Sequence, residues 1–191
     1  MSEPQLVLVR HGDTDWSQNG RHTSRTDLPL LPSGIEHART LAPALAEFEF
    51  ARVLSSPLQR ARQTAELAGF GDRVEITPEL TEWDYGEYEG LTSDAIWEQR
   101  PDWQLWTDGA PGGESPRQVA ARADRVIAEA VKADGDVLMF AHGHILRVLV
   151  ARWIGEQPFV GALFKLDPAT ISIMGDEHGH RVVDRWNAPV A

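Results

Sequence analysis

The sequence predicts an α/β fold, a three-layer α/β/α sandwich with a mostly parallel central sheet. Short apolar runs alternate with amphipathic segments of helical period along the chain, as in a sheet wrapped by helices. The 191 residues are 42% hydrophobic and 25% charged, an ordinary globular balance. No internal repeat or long linker interrupts the pattern, so we expect one domain over residues 1–191.

The first half of the chain shows this alternation most regularly. The apolar run at residues 6–9 predicts a buried strand. Residues 32–48 carry apolar side chains at helical spacing, and Pro43 within this stretch predicts a kink. A second strand is expected at 53–54, a helix at 57–68 and a third strand at 74–76.

The second half continues the pattern after an interruption. Residues 81–113 hold four tryptophans, several acids and a Pro-Gly-Gly turn, which predicts a lid-like insertion lying over the sheet. Beyond it, we expect a helix at 119–131, a strand at 137–140, a helix at 145–154 and two or three short strands within 164–186.

Composition excludes several classes of protein. A net charge of -11 repels polyanions, so we expect no nucleic-acid partner. No apolar run approaches the roughly 20 residues that a membrane helix needs. Residues 1–5 also lack the basic start of a secretory signal, which predicts a cytoplasmic protein without membrane contact. The chain has no cysteine, which excludes disulfides and thiolate metal sites.

Cationic and imidazole side chains follow three of the predicted strands. Arg10 and His11 come after the first strand, Arg60 after the second, and His142 and His144 after the fourth. Ligands of open α/β sheets bind beyond the carboxyl ends of strands, and a guanidinium can grip two phosphate oxygens. The shared location favours a phosphate pocket. Each residue alone has a structural alternative, such as a surface ion pair for Arg60 or a core position for His142.

Four runs of sequence resemble the histidine phosphatase superfamily, also called the phosphoglycerate mutase-like family. The first is Leu-Val-Arg-His-Gly-Asp-Thr at residues 8–14. Three later runs follow in the order of that family, at residues 55–65, 80–90 and 141–144. Because the resemblance spans nearly the whole chain, it implies the phosphoglycerate mutase-like form of the sandwich. The runs at 83–90 and 108–115 are most similar to acid phosphatases and sugar bisphosphatases.

The resemblance implies a role for each matching residue. His11 is the nucleophile that becomes phosphorylated, and Glu82 gives a proton to the leaving oxygen. Arg10, Arg60 and His142 bind the transferred phosphoryl group together with His11. General chemistry supports the role of His11 independently of the resemblance. A neutral imidazole is a good nucleophile when its other nitrogen donates to a fixed acceptor. We expect a protonated His142 to stabilise the transition state, with no metal and no cofactor.

Further residues are predicted to contact the substrate. Ser17 stands where many members of the family have asparagine, and Ser24 stands where glycine is usual. Thr23 lies in the same loop as Ser24 and offers a hydroxyl and a backbone amide to phosphate. His144 and His22 are candidate specificity residues.

The same pocket fits a phosphatase or a mutase. Cofactor-dependent phosphoglycerate mutases usually have arginine after the acid and a lysine slightly later, where this chain has Trp83 and Ser93. Acidic residues at the expected pocket edge disfavour a second phosphate, and they are Asp13, Asp15, Asp84, Glu87 and Glu89. We therefore predict a metal-independent phosphomonoester hydrolase for small phosphorylated metabolites such as sugar phosphates, acting through a phosphohistidine and favouring acidic pH.

Three alternatives stay open at this point. The first is a cofactor-dependent phosphoglycerate mutase. The second is a metal site of His142 and His144 with Asp13 or Glu82, which the neighbouring arginines oppose. The third is a catalytically silent phosphate-binding scaffold. A homodimer through the sheet edges or the apolar tail at 186–191 is a separate hypothesis.

Overall fold

The computed structural model describes residues 3–190, which contain one six-stranded sheet. The strands are β1 (Leu6–Arg10), β2 (Phe50–Ser55), β3 (Val74–Ile76), β4 (Asp136–Ala141), β5 (Ile171–Glu177) and β6 (His180–Ala188). They lie in the order β3-β2-β4-β1-β5-β6.

Five of the six strands run in one direction. β4 pairs in parallel with β1 and with β2, and β2 pairs in parallel with β3. β5 is antiparallel to β1, and β6 is antiparallel to β5. The carboxyl ends of β1, β2 and β4 therefore meet at one edge of the sheet, as the sequence predicted for its cationic residues.

Helices cover both faces of this sheet. They are α1 (Asp15–Gln18), α2 (Pro32–Leu45), α3 (Gln59–Leu67), α4 (Ser93–Trp97), α5 (Leu105–Asp108), α6 (Pro116–Ala130) and α7 (Gly143–Trp153). α2 and α3 pack on one face, and α6 and α7 pack on the other. Within residues 3–190, no helix combines the length and the hydropathy needed to cross a membrane.

The strands in the middle of the sheet supply side chains to two cores. In β1, Leu6 and Leu8 face the α6–α7 side, whereas Val7 and Val9 face the α2–α3 side. This alternation follows from the two-residue period of a strand, and burial on both faces explains why the run is apolar throughout. The predicted α/β/α sandwich with a mostly parallel sheet is confirmed.

Differences from the predicted elements occur at their ends. α6 begins at Pro116, three residues before the predicted start, because Ser115 and Gln118 form a capping box there. α7 begins at Gly143 rather than at residue 145. Pro43 lies inside α2 near its end, and the helix continues for two residues beyond it. Local capping chemistry, rather than apolar periodicity, sets these boundaries.

The segment at 81–113 packs against the α6–α7 core through its aromatic residues. Trp83 and Trp103 are buried, and their indole N–H groups donate to the carbonyl oxygens of Glu114 and Gly109 at 2.9 and 2.8 Å. Trp97 is 40% exposed. The tryptophans of this segment therefore divide between packing roles and positions open to a ligand.

Candidate active site

A cavity of about 250 Å³ opens at the carboxyl ends of β1 and β4. Arginine and histidine side chains dominate the polar part of its wall, and Glu82 is its one carboxylate among the described residues. The predicted residues on the wall are Arg10, His11, Ser17, His22, Thr23, Glu82 and His144. A strongly cationic wall of this kind favours an anionic ligand.

His11 has the hydrogen bonding of a nucleophile. Its Nδ1 lies 2.7 Å from the carbonyl oxygen of Gly12, so Nδ1 carries the proton and Nε2 keeps its lone pair. The residue is 5% exposed. Burial, followed by the charges of Arg60 and Arg10, holds the pKa of His11 well below its ordinary value, so the imidazole is neutral.

Close backbone packing fixes the segment that carries His11. A side chain at Gly12 would collide with the backbone of Gly34, at the start of α2. The Gly12 N–H also donates to Thr64 Oγ1 at 3.1 Å, and the His11 N–H donates to the Ala141 carbonyl at 3.0 Å. α2, α3 and β4 thus hold the carbonyl oxygen that sets the tautomer of His11.

Arg10 lines the cavity and has a donor without a partner within residues 3–190. One terminal nitrogen donates to the carbonyl oxygen of Leu166, and the buried Nε has no hydrogen-bond partner within residues 3–190. A buried donor without a partner is costly, so an oxygen of a bound anion would stabilise this arrangement. Burial lowers the pKa of Arg10, in the direction that a bound anion would reverse.

Arg60 and His142 lie behind His11 rather than on the cavity wall. Both residues are fully buried, and the rings of His11 and His142 meet edge to face with centroids 5.0 Å apart. Arg60 Nε donates to His142 Nδ1 at 3.1 Å, and its terminal nitrogens donate to the carbonyl oxygens of Thr23, Ser24 and Thr26. The surface ion pair considered for Arg60 is therefore wrong.

The expectation of a protonated His142 is also wrong in this structure. Its Nδ1 accepts the N–H of Arg60, and its Nε2 lies 2.7 Å from Ser56 Oγ. Burial, with Arg60 as the next cause, holds the pKa of His142 well below its ordinary value. His142 is a neutral ring whose two nitrogens are both occupied.

Glu82 caps the start of α7. Its Oε1 accepts the backbone N–H groups of Trp83 and Ile145 at 2.8 and 2.9 Å, and its Oε2 accepts that of His144 at 2.9 Å. Three N–H donors at the start of the helix hold the Glu82 side chain in one position. The contacts fix the position of Glu82 on the cavity wall, where it can accept a proton or, once protonated, donate one.

Of the three hydroxyl residues predicted to contact substrate, two lie on the cavity wall and one does not. Ser17 lies on the wall, but its hydroxyl is shared with the backbone of Thr14 in a capping box at α1. Thr23 lies on the wall and donates to the Arg21 carbonyl at 3.0 Å. Ser24 lies outside the wall, where its hydroxyl donates to the Glu82 carbonyl at 3.2 Å. The structure thus brings two of these three residues to the cavity.

His144 and Tyr85 form a hydrogen-bonded pair on the cavity wall. The Tyr85 hydroxyl is 2.6 Å from His144 Nδ1. Burial raises the pKa of Tyr85 well above its ordinary value, so the phenol keeps its proton and donates it to Nδ1. Burial, followed by the charge of Arg147, holds the pKa of His144 well below its ordinary value. His144 is therefore neutral and carries its proton on Nε2.

Sequence reasoning missed two cations on the wall, Arg21 and Arg147. Arg147 donates to the Gly161 carbonyl at 3.0 Å and lies over the Trp106 ring, 4.6 Å from its centroid. Arg147 follows His144 by three residues on α7, and this spacing places both on one helix face. The spacing alone could have predicted that Arg147 lies near His144. Arg21 lies in a loop, where no such spacing applies.

The acids expected at the pocket edge are not on the wall of the cavity. Asp13 contacts His37 Nδ1 at 3.1 Å, and Asp84 forms an ion pair with Arg25. The carboxylate of Glu89 accepts the N–H groups of the loop that contains Ser24. Asp13, Asp84 and Glu89 therefore hold loops in place, and the wall of the cavity itself is more cationic than expected.

The metal-site alternative loses its first ligand in this arrangement. Both nitrogens of His142 are engaged by Arg60 and Ser56, which leaves no lone pair directed at a cation. Across residues 3–190, no group of three or more His, Asp or Glu side chains converges in a way that would hold a metal ion.

A model of the histidine phosphatase superfamily (branch 1) matches residues 6–189. An acid phosphatase of Mycobacterium tuberculosis is 44% identical over 181 residues, which cover 93% of this chain and 89% of that protein. The sedoheptulose 1,7-bisphosphatase of Saccharomyces cerevisiae is 35% identical over 184 residues, covering 80% of this chain and 68% of the yeast protein.

The similar proteins also include mutases. A 2,3-bisphosphoglycerate-dependent phosphoglycerate mutase of Rhizobium johnstonii is 37% identical over 163 residues, covering 76% of this chain and 77% of the mutase. Among solved structures, a Mycobacterium tuberculosis protein superposes with a TM-score of 0.93 at 41% identity, covering 98% of this chain and 99% of that one.

Proposed function

The chain belongs to branch 1 of the histidine phosphatase superfamily, and we propose that it is a metal-independent phosphomonoesterase acting through a phosphohistidine at His11. The observation that carries the proposal is the 2.7 Å contact between His11 Nδ1 and the Gly12 carbonyl oxygen. This contact leaves a neutral Nε2 as the nucleophile beside a cationic cavity. Phosphatases among the relatives support hydrolysis as the net reaction.

In the first step, His11 Nε2 attacks the phosphorus atom of a monoester. The N–P bond forms as the bond from phosphorus to the ester oxygen breaks, and that oxygen leaves with a proton from the acid form of Glu82. The free Nε–H of Arg10 is the donor best suited to a phosphoryl oxygen, because it has no partner of its own among the described residues.

Arg60 and His142 act from behind the nucleophile. At least one terminal N–H of Arg60 is left over after its bonds to His142 and three carbonyl oxygens, and we assign that group to the phosphoryl oxygens. Contact between His142 and the phosphoryl group requires Ser56 Oγ to release His142 Nε2. A neutral Nε2–H would then serve as a hydrogen-bond donor without carrying charge.

In the second step, water attacks the phosphohistidine. Glu82, now a carboxylate, takes one proton from the water while the N–P bond breaks and inorganic phosphate forms. His11 returns to its neutral state, and Glu82 regains the proton that it gave to the leaving group. The three N–H groups that hold Glu82 keep it in one position for both steps.

The substrate class that we propose is a small phosphorylated metabolite such as a sugar phosphate. A cavity of about 250 Å³ suits a small ligand that carries a phosphoryl group. The yeast relative named as a sugar bisphosphatase supports this class.

Mutase activity is the second candidate, and a specific observation favours it. Arg21 and Arg147 add two positive charges to the cavity wall, in a position where a second anionic group of a substrate or intermediate would be stabilised. A mutase would retain the phosphoryl group and return it to a second hydroxyl, whereas a phosphatase passes it to water.

Hydrolysis of p-nitrophenyl phosphate in excess chelator tests the proposed function. We expect turnover by the wild type and a loss of at least about ten-thousandfold in His11→Ala, because removal of a covalent nucleophile leaves only binding and charge stabilisation. The matched control is His180→Ala, which removes an exposed histidine on β6 and leaves the rate unchanged. Rapidly quenched wild type should gain the mass of one phosphoryl group, and His11→Ala should not.

The outcomes separate the candidates. Full activity in His11→Ala would overturn the phosphohistidine mechanism. Rapid phosphoryl exchange between the two hydroxyls of a phosphoglycerate, with little release of phosphate, would favour the mutase. Turnover that is abolished by chelator and restored by a divalent cation would contradict the metal-independent mechanism.

A further inference from the structure

A second, smaller cavity adjoins the active-site cavity. Its volume is about 110 Å³, and the two cavities share three lining residues, His22, Ser93 and His144. The remainder of its wall consists largely of the residues Trp97, Trp103, Gln104, Leu105 and Trp106. The three shared residues therefore border both the active-site cavity and an aromatic side cavity.

His22 has a buried polar atom without a partner. The residue is 8% exposed, and its Nε2 forms no hydrogen bond within residues 3–190. Two backbone bonds hold the residue in place, from its N–H to the Leu91 carbonyl at 2.9 Å and from the Gly90 N–H to its own carbonyl at 2.8 Å. The ring packs against Tyr85 with centroids 4.7 Å apart. Because a buried polar atom normally has a partner, His22 indicates a place for a ligand atom.

The other shared residues also have polar atoms available to a ligand. His144 uses Nδ1 for the Tyr85 hydroxyl, which leaves its Nε2–H as a donor. The Ser93 hydroxyl, at the first turn of α4, forms no side-chain hydrogen bond within the described part of the chain. Polar groups from three separate segments therefore border both cavities, and among them His22 Nε2 is a buried atom without a partner within residues 3–190.

None of these three groups is charged near neutral pH. Burial lowers the pKa of His22 to about 4, the pKa of His144 lies well below its ordinary value, and serine is neutral. Two of the three nearby tryptophans offer ring faces rather than donors, because the indole N–H groups of Trp97 and Trp103 donate to carbonyl oxygens. The chemistry suits a neutral group that both donates and accepts hydrogen bonds and has apolar C–H surfaces.

We propose that His22, Ser93 and His144 form a hydroxyl-binding subsite for the leaving-group part of the substrate, which is therefore a polyhydroxylated carbon chain or ring. The inference rests on the proposed function and narrows its substrate class to sugar and sugar-alcohol phosphates. An alkyl or aryl leaving group fits the aromatic wall but leaves the three polar groups unsatisfied. An anionic leaving group belongs instead at the arginines of the larger cavity.

A pair of matched substrates tests the subsite in the wild-type protein. Sorbitol 6-phosphate and n-hexyl phosphate have the same carbon chain with and without hydroxyls, and p-nitrophenyl phosphate reports the phosphoryl-transfer step separately. We expect the ratio of kcat/KM for the sorbitol ester to that for the hexyl ester to be roughly a hundredfold, from several neutral hydrogen bonds.

Two variants then locate the effect at His22. His22→Phe keeps an aromatic ring and removes both nitrogens, and we expect it to lower the sorbitol-to-hexyl ratio about tenfold. His22→Gln places an amide near the position of Nε2 and should restore most of the ratio, which a purely structural role would not predict. Ser93→Ala should also lower the ratio. Because Ser93 lies in a different segment, this variant still tests the subsite if His22→Phe does not fold.

Failure of the subsite and failure of the proposed function give different results. If p-nitrophenyl phosphate is hydrolysed but the wild type treats the sorbitol and hexyl esters alike, the subsite is wrong and the phosphatase stands. The same conclusion follows if the ratio is unchanged in both His22→Phe and Ser93→Ala. If none of the three esters is hydrolysed, the proposed function fails and this inference fails with it.

Discussion

The region behind His11 and the side cavity differ in how many of their polar groups already have partners. Behind His11, Arg60 uses N–H groups for one imidazole and three carbonyl oxygens, and His142 has both nitrogens engaged. In the side cavity, His22 has no side-chain partner within residues 3–190. The first region has its hydrogen bonds in place before any substrate binds, whereas the second contains a buried nitrogen that has no partner within the described residues. The difference separates a part that performs one reaction from a part that selects its substrate.

Substitution of Glu82 tests the acid–base role proposed for this residue of the cavity wall. Glu82→Gln removes the acid and base but keeps acceptor oxygen for the start of α7, so we expect a folded protein with little activity. Loss should depend on the leaving group, about a thousandfold for hexyl phosphate and far less for p-nitrophenyl phosphate, whose phenolate needs no proton. Values of kcat/KM with both esters check this, because they report the first step and exclude the later attack of water, in which Glu82 acts as a base. An equal loss for both would contradict the role of Glu82 as acid to the leaving oxygen.

The residues around the nucleophile were easier to predict from sequence than those of the side cavity. Two short runs that are apolar throughout indicate central strands of a parallel sheet. The residues at their carboxyl ends are Arg10, His11 and His142, so the sheet topology brings them together. Their hydrogen bonds were not predictable. The neutral state of His142 depends on Arg60 Nε, a contact across 82 positions of sequence that no local pattern encodes.

The side cavity was harder to predict for a physical reason. His22 and Ser93 belong to segments without periodic patterns, and they meet because the backbone of His22 bonds to Gly90 and Leu91. The sequence suggested His22 and His144 as specificity residues, without a geometry. Arg147 was missed although its spacing from His144 places both on one helix face. Whether residues 81–113 move as a lid stays a prediction.

Substitution of Arg60 tests whether the region behind His11 also stabilises the fold. Arg60→Met leaves three carbonyl oxygens and His142 Nδ1 without their donor, and we expect the free energy of unfolding to fall by about 3 kcal/mol. Arg62→Met is the matched control, since Arg62 is exposed two residues along the same helix. Urea unfolding compares the two variants. A similar stability in both would mean that the buried network contributes nothing to folding.

The pH dependence of turnover tests whether the pKa of His11 is lowered in the folded protein. The nucleophile must be neutral, and the pKa of His11 lies well below the ordinary value of 6.5 because of burial and two arginines. A lower pKa keeps the imidazole neutral at lower pH, so the acid side of the kcat/KM profile should begin to fall well below pH 6.5. Profiles with p-nitrophenyl phosphate measure this. An acid limb centred at 6.5 would show that His11 titrates as if it were in water.

Substitution of His22 should change the free energy of unfolding in the opposite direction from Arg60→Met. Because His22 Nε2 lacks a partner, His22→Phe should leave the free energy of unfolding at pH 7 unchanged or raise it by about 1 kcal/mol. The gain should grow in acid. The pKa of His22 is about 4 in the folded protein against 6.5 unfolded, so the unfolded state binds more protons between these values and the wild type loses stability as pH falls through them.

His22→Phe cannot undergo that protonation, and it should retain up to about 3 kcal/mol that the wild type loses by pH 4 through this residue. Urea unfolding of both proteins at pH 7 and near pH 4 measures the two differences. The matched control is His180→Ala, whose exposed imidazole should change neither value. A loss of stability in His22→Phe at both pH values would mean that His22 is a packing residue. The side cavity would then stabilise the fold in the same way that the region behind His11 does.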